Sequence, residues 1–302
     1  MEEVVRIIHS GYLTQGVETR RLEEEFKRYV GARYAIAVDS CTNGLFLSLL
    51  YNQVGPGDIV RIPSLTFASV ANVILQTGAK IKWEDEIYVG HAYNLKNDRP
   101  FHIIDAAHQV EWGIYKDFSG SLMNFSFYPT KQLSSAEGGM ICCDDHYAMD
   151  WLDKARWHGR KGGGYKYSIE FPGYKFNMTD VQAVLARVQL EKLDRMNRTR
   201  THAINYYNRE LNLHNSSLHL YTIDVPERDK FIDYMDKNGI NCSVHFYTPL
   251  HQQPAYKTDI ELPLTESRAK TTVSLPLYAD MTKEECDAVV RPIKEWYDGK
   301  RN

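Results

Sequence analysis

The sequence has 302 residues, of which 43% are hydrophobic and 25% charged, and its formal net charge at pH 7 is −3. This composition is typical of a globular protein of one large or two moderate domains, and the absence of a long basic stretch argues against a nucleic-acid partner. No apolar run is long enough to span a bilayer, and the N-terminus does not resemble a signal peptide. We therefore expect a cytoplasmic protein that binds neither membrane nor nucleic acid.

The five cysteines are an odd number without a Cys-x-x-Cys spacing. Cys142 and Cys143 are adjacent on a predicted strand, so their side chains point to opposite faces. We interpret the cysteines as reduced thiols that pack as small apolar groups, and we predict no metal site.

Helical spacing of apolar residues predicts amphipathic helices over residues 2–10 and 17–30. The second helix is expected to end at Gly31, because glycine is the usual residue beyond a helix C-terminus. A short buried strand follows at residues 34–38.

A polar turn connects this strand to an apolar helix at residues 45–50. Strand, small polar turn and helix N-terminus together form an anion site, because free backbone N–H groups and the helix dipole converge there. Thr42 adds a hydroxyl and Asn43 an amide. An ordinary helix cap explains the same residues equally well.

The next elements are a strand at residues 59–62 and a helix at residues 68–76, with Phe67 at their junction. Core packing is the ordinary role of a single aromatic residue at such a place. Another strand is predicted at residues 80–83. Residues 84–100 are polar and irregular, which indicates a loop or a marginal hairpin.

A buried strand at residues 101–104 ends in Asp105. A carboxylate at the carboxyl end of a core strand lies where ligands bind in α/β sheets. Asp105 either caps the next turn or forms an ion pair with a protonated ring nitrogen.

Lys131 closes an apolar run and precedes a small-residue turn with two glycines and a strand at residues 140–143. Such a lysine is either a surface residue whose stem lies on apolar neighbours or a lysine of lowered pKa that forms a Schiff base with an aldehyde cofactor.

A helix is predicted at residues 145–157, followed by a mobile basic loop at residues 158–165. A capping box formed by Thr179 and Gln182 begins a long helix that continues to about Leu211.

From residue 217 onward the pattern becomes α+β, with a helix at residues 226–238 and a strand at 242–247 that carries His245. A second capping box begins the last helix. We predict a large domain over residues 1–190, whose first helix can pack on the small domain, and a small domain over residues 191–302.

Four spaced motifs, taken in order, resemble the DegT/DnrJ/EryC1/StrS family of sugar aminotransferases. They are residues 40–43, 63–67, 104–108 and 125–131 with 137–139, and the likeness continues through residues 173–180, 245–251 and 274–278. The resemblance implies the α/β fold of type I pyridoxal-phosphate (PLP) transferases, as in aspartate aminotransferase. The large domain would have a mostly parallel central sheet, and the C-terminal domain would be a smaller α+β unit.

The resemblance also implies the roles of the site residues. Lys131 would form the Schiff base with pyridoxal 5′-phosphate and then move the proton, and Asp105 would keep the pyridine nitrogen protonated, so that the ring acts as an electron sink. The other residues implied to contact the cofactor are Phe67 on the ring face, His108 near the ring hydroxyl, and Thr42, Asn43 and Ser126 at the phosphate.

Asn177 resembles a residue that reaches the phosphate of a neighbouring subunit, which implies a homodimer with its active site at the subunit interface. His245 resembles a contact to a sugar nucleotide. The implied reaction transfers an amino group from an amino acid, L-glutamate, to a nucleotide-linked keto sugar, in a setting such as polysaccharide biosynthesis.

The chain departs from the family by its compact form, because members carry a further strand and helix where residues 84–100 stand. Two alternatives remain open. One is a PLP-dependent sugar dehydratase, against which Lys131 and the absence of a cysteine cluster argue. The other is a non-catalytic PLP-binding relative, against which the presence of both Asp105 and Lys131 argues.

Overall fold

The computed structural model describes residues 2–99, 102–163 and 166–299. They form two compact units. The first contains the residues up to Ile62 together with Ser69–Lys82 and Ala92–Leu193, and the second contains Pro63–Ala68, Trp83–His91 and the residues from Asp194 onward. The domain boundary near residue 190 stays a prediction.

The α-helices in these ranges are α1 (Glu2–Ser10), α2 (Val17–Val30), α3 (Cys41–Tyr51), α4 (Ala68–Gln76), α5 (His146–Ala155), α6 (Asp180–Leu211), α7 (Arg228–Lys237), α8 (Pro263–Thr271) and α9 (Lys283–Asp298). The strands are β1 (Tyr34–Val38), β2 (Ile59–Pro63), β3 (Lys80–Glu84), β4 (Tyr93–Asn97), β5 (Ile103–Asp105), β6 (Leu122–Ser126), β7 (Gly139–Cys143), β8 (Arg160–Gly163), β9 (Lys166–Ile169), β10 (Tyr221–Asp224) and β11 (Thr272–Leu275). Among the described residues, no helix combines the length and apolar character that crossing a membrane requires.

The helix predictions that rest on caps and periodicity are confirmed. α1 and α2 have the predicted bounds, and α2 ends at Gly31, whose φ is 83° and whose N–H donates to the carbonyl of Lys27. The Thr179 and Gln182 capping box is present before α6, and Thr282 and Glu285 form the predicted box before α9.

A seven-stranded sheet in the order β1-β7-β6-β5-β4-β2-β3 forms the centre of the first unit. β5 and β6 are parallel, whereas β1 with β7, β6 with β7, β4 with β5 and β2 with β4 are antiparallel. The α/β fold class is confirmed, but the prediction of a mostly parallel sheet is wrong for these pairs. The sheet is mixed because β7 and β4 both run against their neighbours.

Strand β4 corrects the prediction that residues 84–100 form a loop or a marginal hairpin. Tyr93 and Leu95 are buried, and polar residues alternate with them, so one side of the strand packs into the core. β4 occupies the place between β2 and β5. An antiparallel strand needs no crossover helix, so the short segment still supplies a sheet element. Pro100 and Phe101, at the end of this segment, lie outside the described residues.

The basic stretch predicted as a mobile loop at residues 158–165 is, in its described part, one arm of a hairpin. β8 pairs with β9 in antiparallel register, and the guanidinium of Arg160 lies 4.2 Å from the ring centre of Trp157 and 4.3 Å from that of Tyr167. These stacking contacts order the arm because a guanidinium is attracted to aromatic faces. Residues 164 and 165 lie outside the described residues.

The second unit has a core between the antiparallel pair of strands β10 and β11 and helices α7 and α9, and its fully buried residues include Tyr207, Tyr221 and Phe231. The strand predicted at residues 242–247 is wrong. Only Ser243 makes a β-bridge there, to Ser274, because the chain turns immediately afterwards.

Strand β1 is an edge strand, and its free edge at Ala37 is occupied by two charged side chains. Glu23 of α2 accepts the N–H of Ala37 at 2.9 Å, and Arg156 donates to the carbonyl of Ala37. Arg156 also pairs with Glu23 and Asp153, and it is 2% exposed. The pair therefore attaches β1 to α2 and to the residue after α5.

Replacing Asp180 by alanine is expected to lower the free energy of unfolding by about 2–3 kcal/mol. Helix α2 has no side-chain cap from Gly16, and the Asp180 carboxylate accepts the N–H of Gly16 at 2.8 Å, the N–H of Thr19 at 3.0 Å and the Thr19 hydroxyl at 2.7 Å. Urea titration measures the loss, and Asp150→Ala, at an exposed residue of α5, is the matched control. Equal stability of the two variants would contradict the capping role.

Candidate active site

The carboxyl ends of three strands meet at one edge of the central sheet. β5 and β6 are parallel, and β1 runs in the same direction as β6 because both are antiparallel to β7. Asp105 ends β5, Ser126 ends β6, and the turn after β1 leads into α3. Ligands of open α/β sheets bind at such an edge.

Helix α3 begins at this edge with its first N–H groups unpaired within the helix, as in every α-helix. Ser40 caps the helix, and its hydroxyl accepts the N–H of Asn43 at 3.2 Å. The Asn43 side-chain amide donates to Asp39 at 2.8 Å, so in this arrangement it is directed at a carboxylate. Burial raises the pKa of Asp39. Thr42 is half-buried on the first turn.

Gly139 allows the sheet and the start of α3 to approach each other. A Cβ atom at this position would lie 2.6 Å from the backbone nitrogen of Cys41 and 2.7 Å from the carbonyl oxygen of Phe125, and backbone atoms cannot move aside as a side chain can. Gly139 also pairs with Ser126 across β6 and β7. Ser126 and the N-terminus of α3 are therefore neighbours.

Asp105 is a buried carboxyl group, only 6% exposed. Burial raises its pKa, while the N–H of Ala107, which donates at 2.9 Å, the hydroxyl of Tyr93 and the positive charge of Lys131 all favour the ionised form. The carboxylate is thus held in an apolar place by a small number of donors.

Lys131 lies in the loop between β6 and β7, and its backbone N–H donates to the carbonyl of Tyr128 at 2.9 Å. Burial lowers the pKa of its amine, and the nearby Asp105 and Cys41 act in the opposite direction. An amine of lowered pKa loses its proton more readily and is then a nucleophile. Burial also raises the pKa of the Cys41 thiol, which keeps it neutral.

Two further predicted residues belong to the same unit. His108 is half-buried in the turn that follows Asp105. Asn177 is paired with Val38 by a β-bridge, so it lies beside the turn that leads to α3. Its Oδ1 accepts from Lys175, and its buried Nδ2 has no hydrogen-bond partner among the described residues.

Phe67 and His245 belong to the second unit. The ring of Phe67 is 62% exposed, and its centre lies 6.3 Å from that of Phe246, which does not fit the core-packing alternative. The Nδ1 atom of His245 is 2.8 Å from the hydroxyl of Ser274. The roles predicted for both residues stay predictions.

Sequence reasoning missed two groups beside Asp105 and Lys131. The sequence predicts Cys41 only as a small apolar residue, because nothing in its context distinguishes it from the other cysteines. The prediction of a loop or marginal hairpin at residues 84–100 gives Tyr93 no role, although the alternation of Tyr93 and Leu95 with polar residues is a strand signal.

Comparison with known proteins identifies the family of the chain. The model of the DegT/DnrJ/EryC1/StrS aminotransferase family matches residues 1–85 and 103–294. The chain belongs to this family. Membership confirms the expected fold and the expected cofactor, pyridoxal phosphate. It also confirms the enzyme class, which is that of the sugar aminotransferases.

The chain is 32% identical to the spore coat polysaccharide biosynthesis protein SpsC of Bacillus subtilis (strain 168), over 99% of this chain and 94% of SpsC. It is similar in structure to S. venezuelae DesV, with a TM-score of 0.85, 24% identity and coverage of 98% and 93% of the two chains. Helicobacter pylori PseC gives a TM-score of 0.82 with 21% identity, covering 99% and 96%. These two similarities show the shared fold.

The family match passes over residues 86–102, the segment that contains β4. The alignment with SpsC runs over 368 positions, 66 more than the 302 residues of this chain. This DegT-family chain is therefore shorter than that relative, as its compact form predicted.

The residues at the sheet edge fit pyridoxal phosphate. A helix N-terminus suits a phosphate, the buried Asp105 suits a protonated ring nitrogen, and the half-buried Lys131, whose amine has a lowered pKa, suits an aldehyde. The chain thus presents groups that can hold each end of the cofactor.

Proposed function

We propose that this protein transfers the amino group of L-glutamate to a keto sugar linked to a nucleotide, with Lys131 and Asp105 as its catalytic residues. The observation that carries the proposal is that one sheet edge brings together a half-buried amine of lowered pKa, a buried carboxyl group and a helix N-terminus. Bound pyridoxal phosphate supplies the aldehyde that accepts the amino group and the ring that withdraws electrons from the donor carbon.

Lys131 binds the cofactor aldehyde when no substrate is present and acts as the base once substrate has displaced it. Its burial lowers the pKa of the amine, so that more of it is unprotonated at neutral pH. A base works best when its pKa lies near the working pH. The Lys131 amine therefore takes the proton from the donor carbon and returns it to the cofactor carbon.

Asp105 holds the proton on the ring nitrogen. The carboxylate is buried, and it is paired with few donors, so its charge acts through a medium of low dielectric. Ion pairing with a ring N–H stabilises the charged form of both groups.

Backbone N–H groups at the first turn of α3, the Thr42 hydroxyl and Ser126 would hold the phosphate. Asn43 would join them if its amide turned from Asp39 toward the phosphate. His108 would contact the ring hydroxyl, and Phe67 would stack on the ring face. We propose a homodimer in which Asn177, whose Nδ2 has no hydrogen-bond partner among the described residues, would reach the phosphate of a second subunit.

The acceptor is inferred from the relatives. SpsC is a spore coat polysaccharide biosynthesis protein and PseC an aminotransferase of pseudoaminic acid biosynthesis, which favours a sugar acceptor. We propose that this sugar carries a nucleotide because His245 resembles a contact to a sugar nucleotide. His245 contacts that substrate. The free thiols of the five cysteines fit a reducing compartment, so we propose the cytoplasm as the location.

The experiment that tests the reaction is a half-turnover. Protein loaded with pyridoxal phosphate is mixed with L-glutamate, and the absorption of the bound cofactor is followed as the pyridoxamine form accumulates. We expect conversion with L-glutamate and recovery of the first spectrum when a nucleotide-linked 4-keto or 3-keto sugar is added. Conversion that only simple 2-oxo acids reverse would contradict the sugar acceptor.

A further inference from the structure

Tyr93 is the first residue of β4 and lies directly opposite Asp105 in the antiparallel register of β4 and β5. Both residues are 6% exposed. Opposed residues of neighbouring strands have their Cβ atoms about 4.5–5.5 Å apart. The hydroxyl of Tyr93 donates a hydrogen bond to the carboxylate of Asp105.

The other groups that face Asp105 come from each element packed around it. They are the N–H of Ala107 in the turn after β5, the amine of Lys131 in the loop after β6, and the neutral thiol of Cys41 on α3. From β4, Tyr93 supplies the side-chain hydroxyl. Loss of the Tyr93 hydroxyl would therefore leave the buried Asp105 carboxylate with one hydrogen-bond donor fewer.

We infer that Tyr93 is a positioning residue for the reaction, which holds Asp105 ionised and oriented toward the cofactor ring nitrogen. The inference rests on the proposed role of Asp105. A hydroxyl that donates to a carboxylate stabilises the anion, and an anionic Asp105 keeps the proton on the ring. Without that bond, the proton shared between Asp105 and the ring moves toward the carboxyl group, and the ring withdraws electrons less strongly.

Tyr93 belongs to the segment that the family match passes over, so the match itself assigns this residue no role. β4 could pair with β5 through backbone groups alone, whatever side chain stood opposite Asp105. The compact segment therefore contributes a polar group to the site as well as a strand to the sheet.

The test compares three variants of the protein loaded with pyridoxal phosphate labelled with ¹⁵N in the ring. The ¹⁵N chemical shift reports whether the ring nitrogen is protonated. Tyr93→Phe keeps the buried ring and removes only the hydroxyl. Tyr115→Phe is the matched control, because Tyr115 is 1% exposed and its hydroxyl donates to the carbonyl of Ser121, away from Asp105. Asp105→Asn removes the charge itself.

We expect Tyr93→Phe to lower the ratio of protonated to unprotonated ring nitrogen by about tenfold and kcat by a similar factor, with KM for the amino donor within about twofold. Tyr115→Phe should leave the shift at the wild-type value, and Asp105→Asn should give an unprotonated ring. Circular dichroism and thermal melting verify that each variant is folded.

Two results would overturn the inference, and they differ in what else they contradict. A wild-type shift in Tyr93→Phe with a changed shift in Asp105→Asn removes the role of Tyr93 and keeps that of Asp105. A wild-type shift in both variants contradicts the proposed role of Asp105 and, with it, the inference.

Discussion

Replacing Lys131 by alanine is expected to lower kcat by ~10⁴-fold, the upper range for losing a positioned acid–base group. The variant should still bind pyridoxal phosphate through the phosphate site and Asp105, because these contacts do not involve the amine. Its absorption spectrum should be that of the free aldehyde. Steady-state assay and an ultraviolet–visible spectrum measure the two effects.

Borohydride reduction provides the covalent test. Reduced wild-type protein should carry the cofactor on the peptide that contains residue 131, as read by mass spectrometry. Lys161→Ala is the control, because Lys161 is 65% exposed and its ion pair with Glu170 lies at the surface, where such pairs contribute about 1 kcal/mol or less. A cofactor found on any other lysine of the wild-type protein would contradict the role of Lys131.

Replacing Arg156 by alanine is expected to destabilise the protein by about 3–5 kcal/mol. The arginine is buried against Glu23, and both bond to Ala37, so the substitution leaves a carboxylate without its partner and a carbonyl without its donor. β1 leads directly into the start of α3, so we also expect weaker cofactor binding. Chemical denaturation measures the first effect and fluorescence titration of pyridoxal phosphate the second.

A double substitution shows how much of the lost stability comes from the unpaired charge and how much from the lost side-chain contacts. Glu23→Gln with Arg156→Met keeps side-chain volume at both positions and removes both charges, and we expect it to recover most of the stability that Arg156→Ala loses. If the double variant is as unstable as Arg156→Ala, the unpaired Glu23 carboxylate is not the cause, and the loss comes from the missing hydrogen bond to the Ala37 carbonyl.

The sequence predicts most of the helices because their signals are local. Gly31 ends α2, and the boxes at Thr179 and Thr282 begin α6 and α9, each through bonds between residues close in the chain. The order of the motifs likewise predicts Asp105 and Lys131 as site residues, because each stands at the end of an apolar stretch of the sequence. The structure brings both to one edge, whereas their roles stay predictions.

The features that the sequence does not predict are strand directions and side-chain contacts that depend on residues distant in the chain. The direction of β4 is set by its pairing with β2 and β5, and a polar five-residue strand gives little sign of it. The side-chain amide of Asn43 donates a hydrogen bond to Asp39, and the sequence alone does not distinguish this acceptor from other possible ones. The arm at residues 160–163 looks mobile by its glycines, yet Trp157 and Tyr167 hold Arg160.

Strand β4 runs antiparallel to both of its neighbours, β2 and β5, and its direction bears on how short an enzyme of this fold can be. A β-strand presents alternate side chains to the two faces whichever way it runs, so turning it around preserves the division between core and surface. The direction of a strand can therefore change without exposing the core, and an antiparallel direction allows a shorter connection. In this chain the antiparallel β4 keeps the sheet continuous between β2 and β5 without a crossover helix.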